Sequence, residues 1–204
     1  MTDRLLSQMI KFNIIEKEDE EIYRFGLEGL MLKLVHYTTY LFIAIFLGEV
    51  LAFLFFFVSF LLLRKNAGGY HAETKKSCYI SSCLTILGIV VFMKFLRDWS
   101  IAGIILAVFT IIADIVIYKL APLGNKNREL DEEEVMYFKR RTRVFLMVEN
   151  IVFIVFAIAE KENYVVTISI AMAIICEAVL LLLEKIRKGN DETGVKQGSD
   201  LPNS

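Results

Sequence analysis

The chain is poor in the residues that most often carry chemistry. Its 204 residues include two histidines, His36 and His71, and three cysteines, Cys78, Cys83 and Cys176. An odd cysteine count argues against a disulfide framework. Two histidines far apart in sequence, with no paired CxxC, do not make zinc-ligand spacing. No Gly-rich phosphate loop, GxSxG elbow or HExxH motif occurs. Neither a metal nor a cofactor is therefore expected. There are only two prolines, few for a chain of long helices. Net charge is −1, so no global field draws nucleic acid, and no such partner is expected. The N-terminus has no apolar core followed by small residues, so no cleavable signal peptide is expected.

Apolar residues are abundant instead, at 56%. They fall in blocks of roughly 15–22, against the ~20 that cross a hydrocarbon core about 30 Å thick. This predicts an all-α, polytopic integral membrane protein with about six transmembrane helices. The spans are read at about Leu27–Leu47, Val50–Leu63, Tyr79–Phe95, Ile101–Leu120, Val144–Ala159 and Tyr164–Leu183. Before them, Leu5, Leu6, Met9 and Ile10 recur at helical spacing, which predicts an amphipathic helix on the membrane surface within residues 1–26. Residues 27–188 form the membrane domain, and the polar tail 189–204 reads as disordered. Trp99 suits an interface, and Ala121-Pro122 with Asn125 reads as a turn. The segment from there through Arg143 reads as a charged loop.

Charge placement sets orientation. Arg64, Lys65, Lys75 and Lys76 follow span two. Lys119, Lys126, Arg128, Lys139, Arg140, Arg141 and Arg143 surround the loop after span four, and Lys185, Arg187 and Lys188 follow span six. The opposite connections hold only Lys94, Arg97 and Lys161. Basic residues favour the cytoplasm. Both termini and the 64–82 segment are thus expected at the cytoplasmic face of a cell membrane, where thiols stay reduced.

That segment, RKNAGGYHAETKKSCYISS, is the densest in reactive side chains. A cysteine attacks a carbonyl as its thiolate, and histidine is the usual base. His71 and Cys78 are seven apart, about 10 Å of rise on one helix, too far for the roughly 3 Å contact such a pair needs. A break near Ala72–Lys76 is therefore expected, with Cys78 at the start of span three. Unpaired amides and the helix dipole favour a thiolate there, and Lys75 and Lys76 push the same way. Cys83 and Cys176 read as packing residues, and His36 as a satisfied interhelical histidine. Asp114, Glu149 and Glu177 are functional suspects because a carboxylate within a span is costly. Each could instead pair with Lys33 or Lys119. On the residues alone, a non-enzymatic peptide exporter or a membrane subunit that only binds a partner stays open.

Arg64, Gly68-Gly69-Tyr70-His71-Ala72 and Cys78, followed by Ser81 and Ser82, resemble the signature of the accessory gene regulator protein B (AgrB) family. The amphipathic start, the six spans and the Ala121-Pro122 loop agree, so the resemblance covers nearly the whole chain. It departs at Arg128, where a second proline is expected. The resemblance implies a quorum-sensing membrane cysteine endopeptidase. Such a peptidase cuts the C-terminal tail from a small AgrD-type precursor peptide and promotes its thiolactone cyclisation. It implies His71 and Cys78 as the catalytic pair, with Arg64, Gly68 and Gly69 as supporting positions. Lys139, Arg140, Arg141 and Arg143 could dock an acidic stretch of substrate or simply anchor the topology. Short spans bearing polar residues are compatible with a homodimer.

Overall fold

A computed structural model describes residues 2–70, 72, 74–97, 102–124, 130–160 and 164–199. His71, Trp99, Asn125, Lys126, Arg128 and Lys161, singled out above, lie outside the described residues. Those residues form seven α-helices: α1 (Thr2–Lys11), α2 (Glu20–Leu47), α3 (Val50–Ala67), α4 (Lys75–Arg97), α5 (Ala102–Leu120), α6 (Glu132–Ala159) and α7 (Val165–Ser199). Six of them, α2 to α7, are long and apolar enough to cross a membrane. The protein is an all-α, multi-pass membrane protein.

Side-chain placement is inside-out relative to a water-soluble bundle. Phe46 is 89% exposed and Ile158 80%, while Glu177 and Glu184 are 0% exposed. Outward apolar side chains face lipid without cost, whereas a charge facing hydrocarbon is expensive and turns inward. α7 is the centre of the bundle and packs against α3, α5, α6 and α4. One core cluster joins Tyr40 and Ala44 of α2 to Phe53 and Phe56 of α3, Val90 of α4 and Ala171 of α7. A second joins Leu63 of α3, Ile117 of α5, Leu146 of α6 and Ile174 of α7. The start of α7 is capped from the preceding connection: Val166 N and Thr167 N donate to the Glu160 carboxylate at 2.9 and 3.1 Å.

α2, α6 and α7 run furthest beyond their apolar stretches. α2 starts at Glu20 rather than near Leu27, and Arg24 in its first turns pairs with Glu20 at 2.8 Å and with Asp3 of α1. Leu6 of α1 is buried where α1 packs on α2. α6 starts at Glu132, so residues 132–143, read as the later part of a charged loop, are helical. Asp131 caps it by accepting from Glu134 N at 2.7 Å, and three glutamates in the first turn complement the dipole. α7 is helical to Ser199, where the sequence reads as a disordered tail. Extending a packed helix adds one hydrogen bond per residue fixed, without a new nucleus.

Candidate active site

The segment between α3 and α4 is built around Arg64. This arginine lies in the last turn of α3 and turns back on the chain that leaves the helix. Its Nη1 donates to the Gly68 carbonyl at 2.6 Å, and its Nη2 donates to the Tyr70 carbonyl. The same guanidinium lies 3.9 Å from the Glu177 carboxylate of α7. One turn further along α7, the Leu180 carbonyl accepts the Tyr70 N–H at 3.1 Å. From the other side, Leu123 N donates to the Ala67 carbonyl at 2.8 Å, and Gly68 pairs with Leu123 in a short bridge. Three separate parts of the chain therefore hold three consecutive residues.

Only glycine fits the first two. Gly68 has φ of +81° and Gly69 of +111°, conformations that side-chain-bearing residues avoid. A Cβ on Gly68 would collide with the Leu123 carbonyl oxygen, and one on Gly69 with Arg64 Nη1. The third residue, Tyr70, lies under Arg187, whose guanidinium carbon is 5.3 Å from the ring centroid. Arg187 in turn pairs with the buried Glu184 at 2.7 Å. Glu177, Leu180, Glu184 and Arg187 recur at helical spacing, so one stripe of α7 meets this segment.

α4 then begins at Lys75. The expected break is present, since α3 ends at Ala67 and α4 begins at Lys75. It lies slightly earlier than the Ala72–Lys76 window. Thr74 starts the new helix: its hydroxyl accepts from Ser77 N at 3.1 Å and its carbonyl from Cys78 N at 2.9 Å. Cys78 thus sits in the first turn, half-buried and free of any disulfide. His71 lies outside the described residues, so the pair's separation is not part of this geometry. The neighbouring Tyr79 hydroxyl is 2.9 Å from Thr39 Oγ1, tying α4 to α2.

The other polar residues sort by their partners. His36 is buried, with Nδ1 2.7 Å from the Leu32 carbonyl and its ring edge-on to Tyr79 and Tyr40. Asp114 accepts from Asn150 at 3.1 Å, and Glu177 meets Arg64. Neither pairs with Lys33 or Lys119. Glu149 is buried, with no hydrogen-bond partner on either oxygen among the described residues. The basic run on α6 divides. Lys139 and Arg140 are exposed and, with Arg143, Met136 and Met147, line a surface groove. Arg141 bonds the Tyr137 hydroxyl at 2.6 Å, and Arg143 stacks 4.0 Å from the Tyr118 ring of α5. What sequence reasoning missed is the link from Glu177 to Arg64 and the roles of Leu180, Leu123 and Arg187. No local signal marks them, because each acts across the fold.

A six-span helical bundle with a tightly held polar connection between α3 and α4, leading to a half-buried cysteine, defines a multi-pass membrane protein. The chain belongs to the accessory gene regulator B family, whose model matches residues 2–181. That membership places it in the accessory gene regulator quorum-sensing system and connects it with peptide processing. No curated protein and no solved structure matches the chain.

Proposed function

We propose that this protein is a membrane cysteine endopeptidase that removes the C-terminal tail of a small AgrD-type precursor and promotes thiolactone closure. The observation that carries this reading is the strapped Gly68–Tyr70 backbone, which runs by sequence straight into His71 and then to Cys78 in the first turn of α4. So many fixed contacts on a short connection suit a segment whose geometry has to be reproducible. A sulfur in the first turn of a helix is a recurrent setting for a nucleophile. His71 takes the Cys78 proton and the sulfur attacks the scissile carbonyl. The C–N bond breaks, and the tail leaves as an amine carrying the proton that His71 returns. The resulting thioester keeps the acyl group activated. The precursor's own cysteine sulfur then attacks that carbonyl, closes the thiolactone and releases Cys78. Holding both ends of the peptide favours ring closure over hydrolysis. Both terminal nitrogens of Arg64 donate to backbone carbonyls of the segment, which favours a positioning role over an oxyanion role. Lys139 and Arg140, the exposed members of the α6 run, are the residues free to meet an acidic stretch of the precursor. The site lies at the cytoplasmic leaflet with both termini on that side, as the basic residues favour.

The test is co-expression with a short AgrD-type precursor peptide, read by mass spectrometry. Wild type releases the C-terminal tail; Cys78→Ala and His71→Ala leave the precursor whole. An exporter without chemistry would instead move intact peptide in all three.

A further inference from the structure

We propose that Glu177 is a positioning residue of this site: from inside the bundle it holds Arg64 in the orientation that clamps the Gly68 and Tyr70 carbonyls. The inference rests on the peptidase reading and adds to it a residue more than a hundred positions away in sequence.

Three observations meet here. First, Glu177 is 0% exposed, neither of its oxygens has a hydrogen-bond partner among the described residues, and its one ion pair there is with Arg64 Nη1 at 3.9 Å. A buried carboxylate without hydrogen bonds is sustained by a nearby opposite charge. Second, Arg64 is itself largely buried, so water does not screen the pair. Its two terminal nitrogens donate to two backbone carbonyls, and the carboxylate beside Nη1 holds the guanidinium in the orientation in which they do so. Third, Tyr70 N–H reaches the Leu180 carbonyl, one turn from Glu177. α7 therefore grips the segment by charge through Arg64 as well as by a backbone hydrogen bond. The residue next in sequence is His71. Neutralising Glu177 leaves the guanidinium free to swing, and the Gly68–Tyr70 carbonyls lose their fixed donor. The chemistry then slows while precursor binding is kept.

The experiment compares purified wild type, E177Q, E177D, R64Q and R64Q/E177Q on an AgrD-type precursor peptide that the wild type cleaves. Folding is checked by thermal midpoint, and Cys78→Ala is the blank. Slackened alignment lowers kcat about ten- to a hundredfold in E177Q with KM held, and E177D recovers part of the rate. R64Q/E177Q is no slower than R64Q, because the glutamate acts through the arginine. If E177Q fails to accumulate, the neutral double variant, which buries no lone charge, decides the matter against R64Q. Losses that multiply, or an E177Q that cuts at the wild-type rate, overturn the inference alone. A wild type that cleaves no such precursor overturns the peptidase reading and the inference with it.

Discussion

Gly69 is a residue whose replacement should be hard to accommodate. Its φ of +111° is open only to glycine, and a Cβ there would press into the Arg64 guanidinium and come within 3.4 Å of the Leu180 backbone. Gly69→Ala should therefore cost about 1–3 kcal/mol in backbone strain, seen as a lower thermal midpoint, and should lose cleavage beyond what that lower stability explains. Full activity in Gly69→Ala would mean that the strap is unimportant. The Gly68-Gly69 pair, His71 and Cys78 are legible in sequence because they stand close together in a polar gap between apolar runs. Arg64 could be noticed but not assigned, since its fork is engaged by carbonyls only once the chain has turned back. Glu177 could be flagged as a costly intramembrane acid, yet no sequence rule pairs it with Arg64 rather than Lys33 or Lys119.

At the scale of elements, α4 and α7 matter most. α4 owes its start to Thr74, whose hydroxyl takes the Ser77 N–H. Thr74→Ala should weaken that turn by about 0.5–2 kcal/mol. Amide exchange at residues 77 and 78 should quicken while the middle of α4 stays protected. Unchanged protection would show that the turn is held by something other than its cap. The opposite end of α4 provides a control. There Arg97 pairs with the buried Glu49 at the start of α3, far along both helices from the 68–74 connection. Arg97→Ala leaves that carboxylate poorly satisfied, at about 1–3 kcal/mol. It should lower thermal stability while cleavage by the remaining folded protein proceeds at the wild-type rate. A selective loss of catalysis in that variant would argue that the two ends of the bundle are coupled. Spans are readable from sequence because their length is set by the bilayer, but helix ends are not. α2 and α6 begin in charged stretches whose Glu20–Arg24 pair and Asp131 cap extend them beyond the apolar run.

For the whole molecule, the decisive feature is which end of the bundle is busy. Residues 64–70, the start of α4, Leu123 and the 177–187 stretch of α7 lie at one end, and Arg64, Lys65, Lys75, Lys76, Lys185 and Arg187 belong to these stretches. A basic end lies on the cytoplasmic side. With Cys83 and Cys176 replaced by alanine, a membrane-impermeant maleimide should label Cys78 in permeabilised cells and spare it in intact ones. Labelling in intact cells would place the segment on the external face. The number of spans follows from counting apolar runs, and the expected polarity from the placement of lysines and arginines. The central place of α7 does not, since its apolar face reads like that of any other span and only packing gives it four neighbours.

The account stands on Cys78 carrying the acyl group. The most direct measurement is the intact mass of the protein after brief reaction with the precursor, before and after hydroxylamine. The expected result is an adduct equal to the precursor without its C-terminal tail, removed by hydroxylamine and missing from Cys78→Ser. Tail release at the wild-type rate by Cys78→Ser, with no adduct on either protein, would contradict it.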